Sequence, residues 1–491
     1  MVHQLIIGLE VHVQLATESK MFSAVGTEFG LPPNTQTDPV SLGLPGTLPV
    51  MNGKAFELAL KTAVALGANI TPFTKWDRKN YYYPDLPKNY QISQYDMPFS
   101  TGGSIEIPVR KDGGGGGAVQ LVRVHLEEDT GKLTHGAYGT SEVDLNRAGI
   151  PLLEIVTEPD LRSAQDAKGA LEELRLTLRY LGVSDCEMQE GSLRCDANVN
   201  LHIQTDKGET VATPIVEVKN LNSFRSVERA IEYEAERQLE KWKRDGLTIN
   251  DAPKQTRGWS EPDGATKPQR EKETAADYRY FPEPDLVPVV VDEAWVERVR
   301  ATVCELPSAR RRRYEADHGL SAYDANVLVE QGADVADYFD AVVAATGEPK
   351  LASNWVQQDV LRVAKERKLS LAEFPVGPAA LSELINRVKR KDLNTNQGRE
   401  VLGKLIEGGE IEAIIAGGGY GMVSDAGAID AAIDAALAAN PKAVEDLKNG
   451  KKKPDAVKGF LRGQVMKQTG GKADPALVGE RLDAKLAEMA G

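Results

Sequence analysis

LIIGLEVHVQL, residues 5–15, alternates apolar and polar side chains at the two-residue period of a β-strand. Leu9, Val11 and Val13 fall on one face, and Glu10 and His12 on the other. A carboxylate and an imidazole two residues apart on a strand make half of a metal site or of an acid/base pair. A strand histidine held by a structural hydrogen bond has the same spelling. Working outward, 104–110, 119–127 and 197–204 also read as strands. KDGGGGG at 111–117 lies between two of them as a hairpin tip, and it lacks the GK[ST] ending of a phosphate loop. Apolar residues at three- and four-residue spacing predict helices over 53–66, 163–181 and 227–244. The mixture is α+β, without strict βαβ alternation. After Pro288 the segments 292–301, 307–318, 321–331 and 334–345 all read as helices punctuated by Gly or Pro. The block from about residue 380 is helical as well.

The chain has 491 residues, long enough for several domains. With 59 basic and 73 acidic residues its net charge is -14, which argues against indiscriminate nucleic-acid binding. The charge is unevenly spread: 376–491 carries +1, and 441–472 holds nine basic against three acidic residues. No run approaches the roughly 20 apolar residues of a membrane helix, and MVHQLIIGLEVHVQL lacks a basic leader, so no membrane association and a cytoplasmic location are expected. Three scattered cysteines make neither a disulfide framework nor a CxxC knuckle.

Several segments concentrate chemistry. RVHLEEDTGK, 123–132, places His125, Glu127, Glu128 and Asp129 together, which suits a hard cation, although on this segment alone a solvated acidic turn is the plainer reading. DRKNYYYPDLPKNYQISQYD, 77–96, interleaves five tyrosines with Arg78, Lys79 and Lys88, a composition for stacking bases or lining a polar passage. In VDLNRAGIPLLEIVTEPD, 143–160, Glu154 sits in an apolar run and needs a partner, either Arg147 or a metal. GSLRCDAN, 191–198, contributes Arg194 and Asp196, and VEVKNLNSF, 216–224, contributes Glu217, Lys219, Asn220 and Asn222.

These segments, with GLEVHVQL at 8–15, DYRYFPEPDLVP at 277–288 and GFLRGQVMK at 459–467, resemble the B subunits of tRNA-dependent aspartyl/glutamyl-tRNA amidotransferases, in order along nearly the whole chain. The resemblance implies an antiparallel-sheet cradle catalytic domain at 1–290, a helical domain at 291–378 and a C-terminal helical tRNA-binding tail at 379–491. It implies work on a misacylated tRNA within a heterotrimer whose A subunit is an amidase and whose C subunit is small. ATP would be the substrate and Mg²⁺ the cofactor for phosphorylating the aminoacyl carboxylate, which ammonia then converts to the amide. Carried over residue by residue, it makes Glu10, His12, Glu127, Glu128, Glu154, Asp196 and Glu217 the metal-site residues, with Glu127 and Glu128 not separable. Glu10, His12, Lys79, Glu128 and Arg147 become the catalytic set. Lys79, Tyr81, Tyr82 and Lys88 become the ammonia passage, and Arg147 and Asn146 contact phosphate or substrate.

NGKKKPDAVKGF, 449–460, departs from the family pattern by a short insertion and an extra basic cluster. Lys451, Lys452, Lys453, Lys458 and Arg462 are expected on the tRNA backbone, where a solvated basic face is the plainer reading. The chain has no GGSSGG-type segment and no cysteine in a glutaminase context, so ammonia has to come from the partner amidase. Two other functions fit parts of the sequence: a non-catalytic tRNA-binding scaffold, and a free-standing ligase for a small carboxylate. The second leaves the basic tail unexplained.

Overall fold

The structure is a computed structural model, and it describes all residues except 1–2, 111–112, 137–138, 270–277, 419, 421–425, 449–453, 470–472 and 491. The chain divides into two compact units, Met1–Arg310 and Arg311–Gly491.

The first unit is built on a 14-stranded sheet. At its centre lies the strand His3–Gln14, paired antiparallel with Leu193–Gln204 on one side and Pro151–Thr157 on the other. Beyond Pro151–Thr157 come Ala118–Glu128, Tyr90–Ser93, Asp77–Asn80 and Phe281–Pro282. Beyond Leu193–Gln204 come Val216–Leu221, Gln255–Ser260 and Ala265–Pro268. Only the Val216–Leu221 and Gln255–Ser260 pair is parallel in this path. The predicted alternation is visible in the burial: Leu9, Val11 and Val13 are enclosed, whereas Glu10 and His12 are half-buried on the opposite face.

Those apolar residues join one core with the helices Gly53–Ala65, Ala164–Tyr180 and Phe224–Asp245. Each helix starts where a side chain caps it. Asn52, Ser163 and Ser223 accept from the amides of Ala55, Asp166 and Ser226. Leu171, Leu174 and Leu178 form the buried stripe of the second helix. Truncating Leu9, in the same core, to Ala is expected to cost about 2–5 kcal/mol. With helices covering one face, the sheet's polar side chains gather on the other.

The strand expected over 104–110 is only Ser104–Glu106, because Pro108 has no N–H to continue a ladder. It pairs with Ala118–Glu128 across the glycine run, and Gly113, Gly115, Gly116 and Gly117 all take positive φ, as a hairpin tip requires.

The second unit is helical. Its last helices, Ala426–Ala439, Pro441–Lys448, Pro454–Gln468 and Pro475–Ala490, share a separate core that includes Ile429, Ile433, Leu461, Val465 and Leu482. Gly479 of the last helix faces the Arg462 guanidinium of the one before it, with a Cβ position 2.8 Å from Arg462 Nη2.

Candidate active site

The ladder places polar side chains in rows across the sheet. In one row Arg194, His12, Glu154 and His125 follow one another over four strands. In the next, Glu10 stands opposite Asp196. Asn198, two residues on from Asp196 and on the same face, stands opposite Glu217 on the following strand and so brings Glu217 to that face; the register shifts between Cys195 and Ala197. Two trios of ligand-type atoms result. Atoms of His12, Glu127 and Glu154 lie within 4.8 Å of one another, and so do atoms of Glu10, Asp196 and Glu217.

Five of these six residues, Glu10, His12, Glu127, Glu154 and Asp196, line one cavity of about 830 Å³, and the sixth, Glu217, is fully buried. An adjoining hollow of about 330 Å³ reaches Asp129, Arg194, Asn220 and Asn222. Tyrosines also line the cavity. Tyr95 and Tyr280 stack at 4.1 Å, and Tyr81 meets Tyr278 edge-on at 5.9 Å.

The electrostatics are tightly balanced. Glu127 accepts from Gln91 Nε2 (2.9 Å) and Ser93 Oγ (2.7 Å). Burial raises its pKa, but the Lys79 ammonium and His125 outweigh burial and hold the carboxyl below its usual range. Glu154 is held lower still: burial is overcome by His125 and His12, whose Nε2 atoms lie 3.2 and 3.7 Å from its Oε2. Burial works against protonation of His125, yet Glu154 and Glu127 push its pKa up to about 9. Lys79 and Lys219 are likewise kept charged against burial, Lys79 chiefly by Glu127 and Lys219 chiefly by Asp196 and Glu217.

The structure separates the two glutamates that sequence left together. Strand alternation turns Glu127 into the cavity and Glu128 away from it, where Glu128 pairs with Lys88 Nζ and accepts from the Ile92 amide at 3.0 Å. Glu128 and Lys88 therefore leave the cavity set. Of the expected passage residues, Lys79 and Tyr81 line the cavity, whereas Tyr82 does not and is 75% exposed. Arg147 is not the partner of Glu154. It donates to the carbonyls of Thr130 (2.9 Å) and Gly131 (2.6 Å) and lies 3.7 Å from Asp129, which Arg194 and Gln14 also hold. Asn146 braces a loop through Pro32 O and the Gln36 amide.

Residues without an assigned role in the sequence complete the site. His125, Lys219, Tyr95 and Tyr280 lie in the quoted segments, and Lys254 lies in none of them. In the tail, Lys458 pairs with Asp483 at 3.0 Å. Lys451, Lys452 and Lys453 lie outside the described residues. Among the described residues no helix is long and apolar enough to cross a membrane.

The donor chemistry of both trios fits a divalent cation. Three carboxylates suit Mg²⁺, and an imidazole with two carboxylates suits Mg²⁺ or a borderline metal. Burial and the neighbouring Asp196 and Glu10 carboxylates push the Cys195 thiol, beside the adjoining hollow, well above its usual pKa. Carboxylates, imidazoles and ammonium groups thus gather on one face of a mostly antiparallel sheet. Residues 5–297 match the family model of the GatB/GatE catalytic domain, and residues 337–486 match that of the GatB domain. The chain is 51% identical over 488 residues to the B subunit of the aspartyl/glutamyl-tRNA(Asn/Gln) amidotransferase of Rhodopirellula baltica, covering 99% of this chain and 97% of that protein. It is 49% identical over 490 residues to that of Moorella thermoacetica, covering 99% and 100%. The chain belongs to the GatB family.

Proposed function

We propose that this chain is the subunit of a tRNA-dependent amidotransferase that binds Glu-tRNA(Gln), Asp-tRNA(Asn) or both and activates the misplaced side-chain carboxylate. The family model over 5–297 describes a catalytic domain, which sets aside the scaffold reading. The observation that carries the proposal is the pair of trios, five of whose six residues line one cavity beside Lys79, Lys219 and Lys254.

A carboxylate is a poor acyl donor. Its oxygen attacks the γ-phosphorus of ATP and ADP leaves. Ammonia then attacks the acyl carbon, phosphate departs with the C–O electron pair, and nitrogen loses a proton. His12, Glu127 and Glu154, or Glu10, Asp196 and Glu217, would hold Mg²⁺, which when bound neutralises phosphoryl charge. Lys79 and Lys219 supply positive charge where two anions must approach. Asp129 fixes Arg194 beside the adjoining hollow. Lys79 and Tyr81 form the inner end of the ammonia route, and Lys88 and Tyr82 serve the fold and the surface instead.

Ammonia comes from an amidase partner, the A subunit, within a heterotrimer completed by a small C subunit in the cytoplasm. The division at 290 and 378 separates the cradle, a helical connector and a tail that holds tRNA through Lys451, Lys452, Lys453, Lys458 and Arg462.

Glu10→Ala, His12→Ala and Glu127→Ala should abolish tRNA-dependent ATP hydrolysis and leave tRNA binding intact. Survival of hydrolysis would restore the scaffold reading. Stimulation by free glutamate without tRNA would favour a small-carboxylate ligase.

A further inference from the structure

The all-carboxylate trio already carries cations of its own. Glu10, Asp196 and Glu217 bring oxygens within 4.8 Å of one another, and their repulsion has to be offset. Lys219 Nζ bonds Asp196 Oδ2 and lies 3.0 Å from Glu217 Oε1. Lys254 Nζ lies 3.6 Å from Glu217 Oε2 and 4.0 Å from Glu10 Oε1.

The two lysines reach the trio differently. Lys219 follows Glu217 by two residues on the same strand and therefore shares its face. Lys254 comes from the segment leading into Gln255–Ser260. Its side chain is 36% exposed and stands at ion-pair distance only, so it is the freer of the two. Two ammonium groups against three carboxylates leave a single excess negative charge. The histidine-containing trio is balanced otherwise, with His125 Nε2 3.5 Å from Glu127 Oε1 and Lys79 Nζ 4.0 Å from it.

We propose that Lys219 and Lys254 are exchangeable counterions of this trio, occupying it in the absence of a metal and passing to nucleotide phosphate oxygens when a divalent cation takes their place. The idea rests on the nucleotide and metal reading above. An ammonium and a divalent cation compete for the same carboxylate oxygens. Metal arriving alone has to displace Lys219 with no anion to receive it. A polyphosphate arriving with the metal offers the released ammonium a charge-assisted partner. Metal and nucleotide therefore tighten each other's binding by one common factor, and the idle protein does not load this trio from free cation.

Calorimetric titration of the full chain with Mn²⁺, alone and with β,γ-methylene-ATP, tests the exchange in wild type, Lys219→Met, Lys254→Met and Asp196→Asn. Wild type should bind Mn²⁺ about ten-fold or more tightly once nucleotide is present. Lys219→Met should bind Mn²⁺ alone about ten-fold or more tightly than wild type, with the gain from nucleotide diminished, and Lys254→Met should shift the same way by less. Unchanged affinity and unchanged nucleotide gain in folded Lys219→Met overturn the proposal. If Lys219→Met does not fold, unchanged coupling in Lys254→Met overturns it. Asp196→Asn separates the two readings. Loss of one Mn²⁺ equivalent there, with unchanged coupling in the lysine variants, removes only the exchange. Full Mn²⁺ stoichiometry in Asp196→Asn removes the metal from this trio and overturns both.

Discussion

His12 and Glu154 stand directly opposite each other on adjacent antiparallel strands, His12 Nε2 3.7 Å from Glu154 Oε2. That pairing anchors the trio that Glu127 completes, and it fixes which of two consecutive glutamates takes part. Glu127 lines the cavity, and Glu128 is turned away from it onto Lys88 and the Ile92 amide.

Stability measurements should separate the two. Lys88 and Glu128 are nearly enclosed, at 6% and 4% side-chain exposure, so Lys88→Met strands a buried carboxylate at a cost of about 3–5 kcal/mol. Adding Glu128→Leu should recover part of that loss, because the unpaired charge is removed. Glu127→Gln should lower tRNA-dependent ATP turnover by about 100-fold or more. Urea denaturation beside ATPase assays checks both, and the opposite pattern would exchange the roles.

Much of this is readable in the sequence, and the reason the reading stops where it does is physical. Alternation in 5–15 places Glu10 and His12 together on the polar face, and the capped helices follow from their spacing. A two-residue period says that one of Glu127 and Glu128 faces in. Only the register, with Glu127 opposite Leu152 and Ser93, says which. Arg147 looks like the natural partner of Glu154, seven residues on in the same segment. A strand carries Glu154 away from the turn that holds Arg147, and two histidines from neighbouring strands reach it instead. The spacing of Lys219 to Glu217 carries a signal of a shared face. Lys254 gives no local signal, since a separate strand brings it in.

Lys20 gives a pH dependence away from the cavity. Enclosed and donating to Gln36 O at 2.6 Å, it has its pKa pushed down to about 8 by burial, which Asp38 and Glu128 only partly offset. Between pH 8 and the ordinary 10.5 the unfolded chain therefore binds more protons than the folded one, so stability rises with pH across that window. Relative to Lys20→Met, wild type should gain on the order of 1 kcal/mol from one end to the other. A difference that stays flat with pH would contradict this placement of Lys20.

For the tail, reversing charge at Lys451, Lys452 and Lys453 should weaken tRNA binding and reduce its dependence on salt concentration by about one logarithmic slope unit per lost phosphate contact. Filter binding over a salt series reads both quantities. An unchanged slope would make the cluster a solvated face.

The most direct test is amide formation by the reconstituted heterotrimer given glutamine, a misacylated tRNA and ATP, with wild-type chain or His12→Ala. Amide should appear with wild type only when ATP is present, and His12→Ala should form essentially none with tRNA still bound. Amide made without ATP, or made at the wild-type rate by His12→Ala, would contradict carboxylate activation in this cavity.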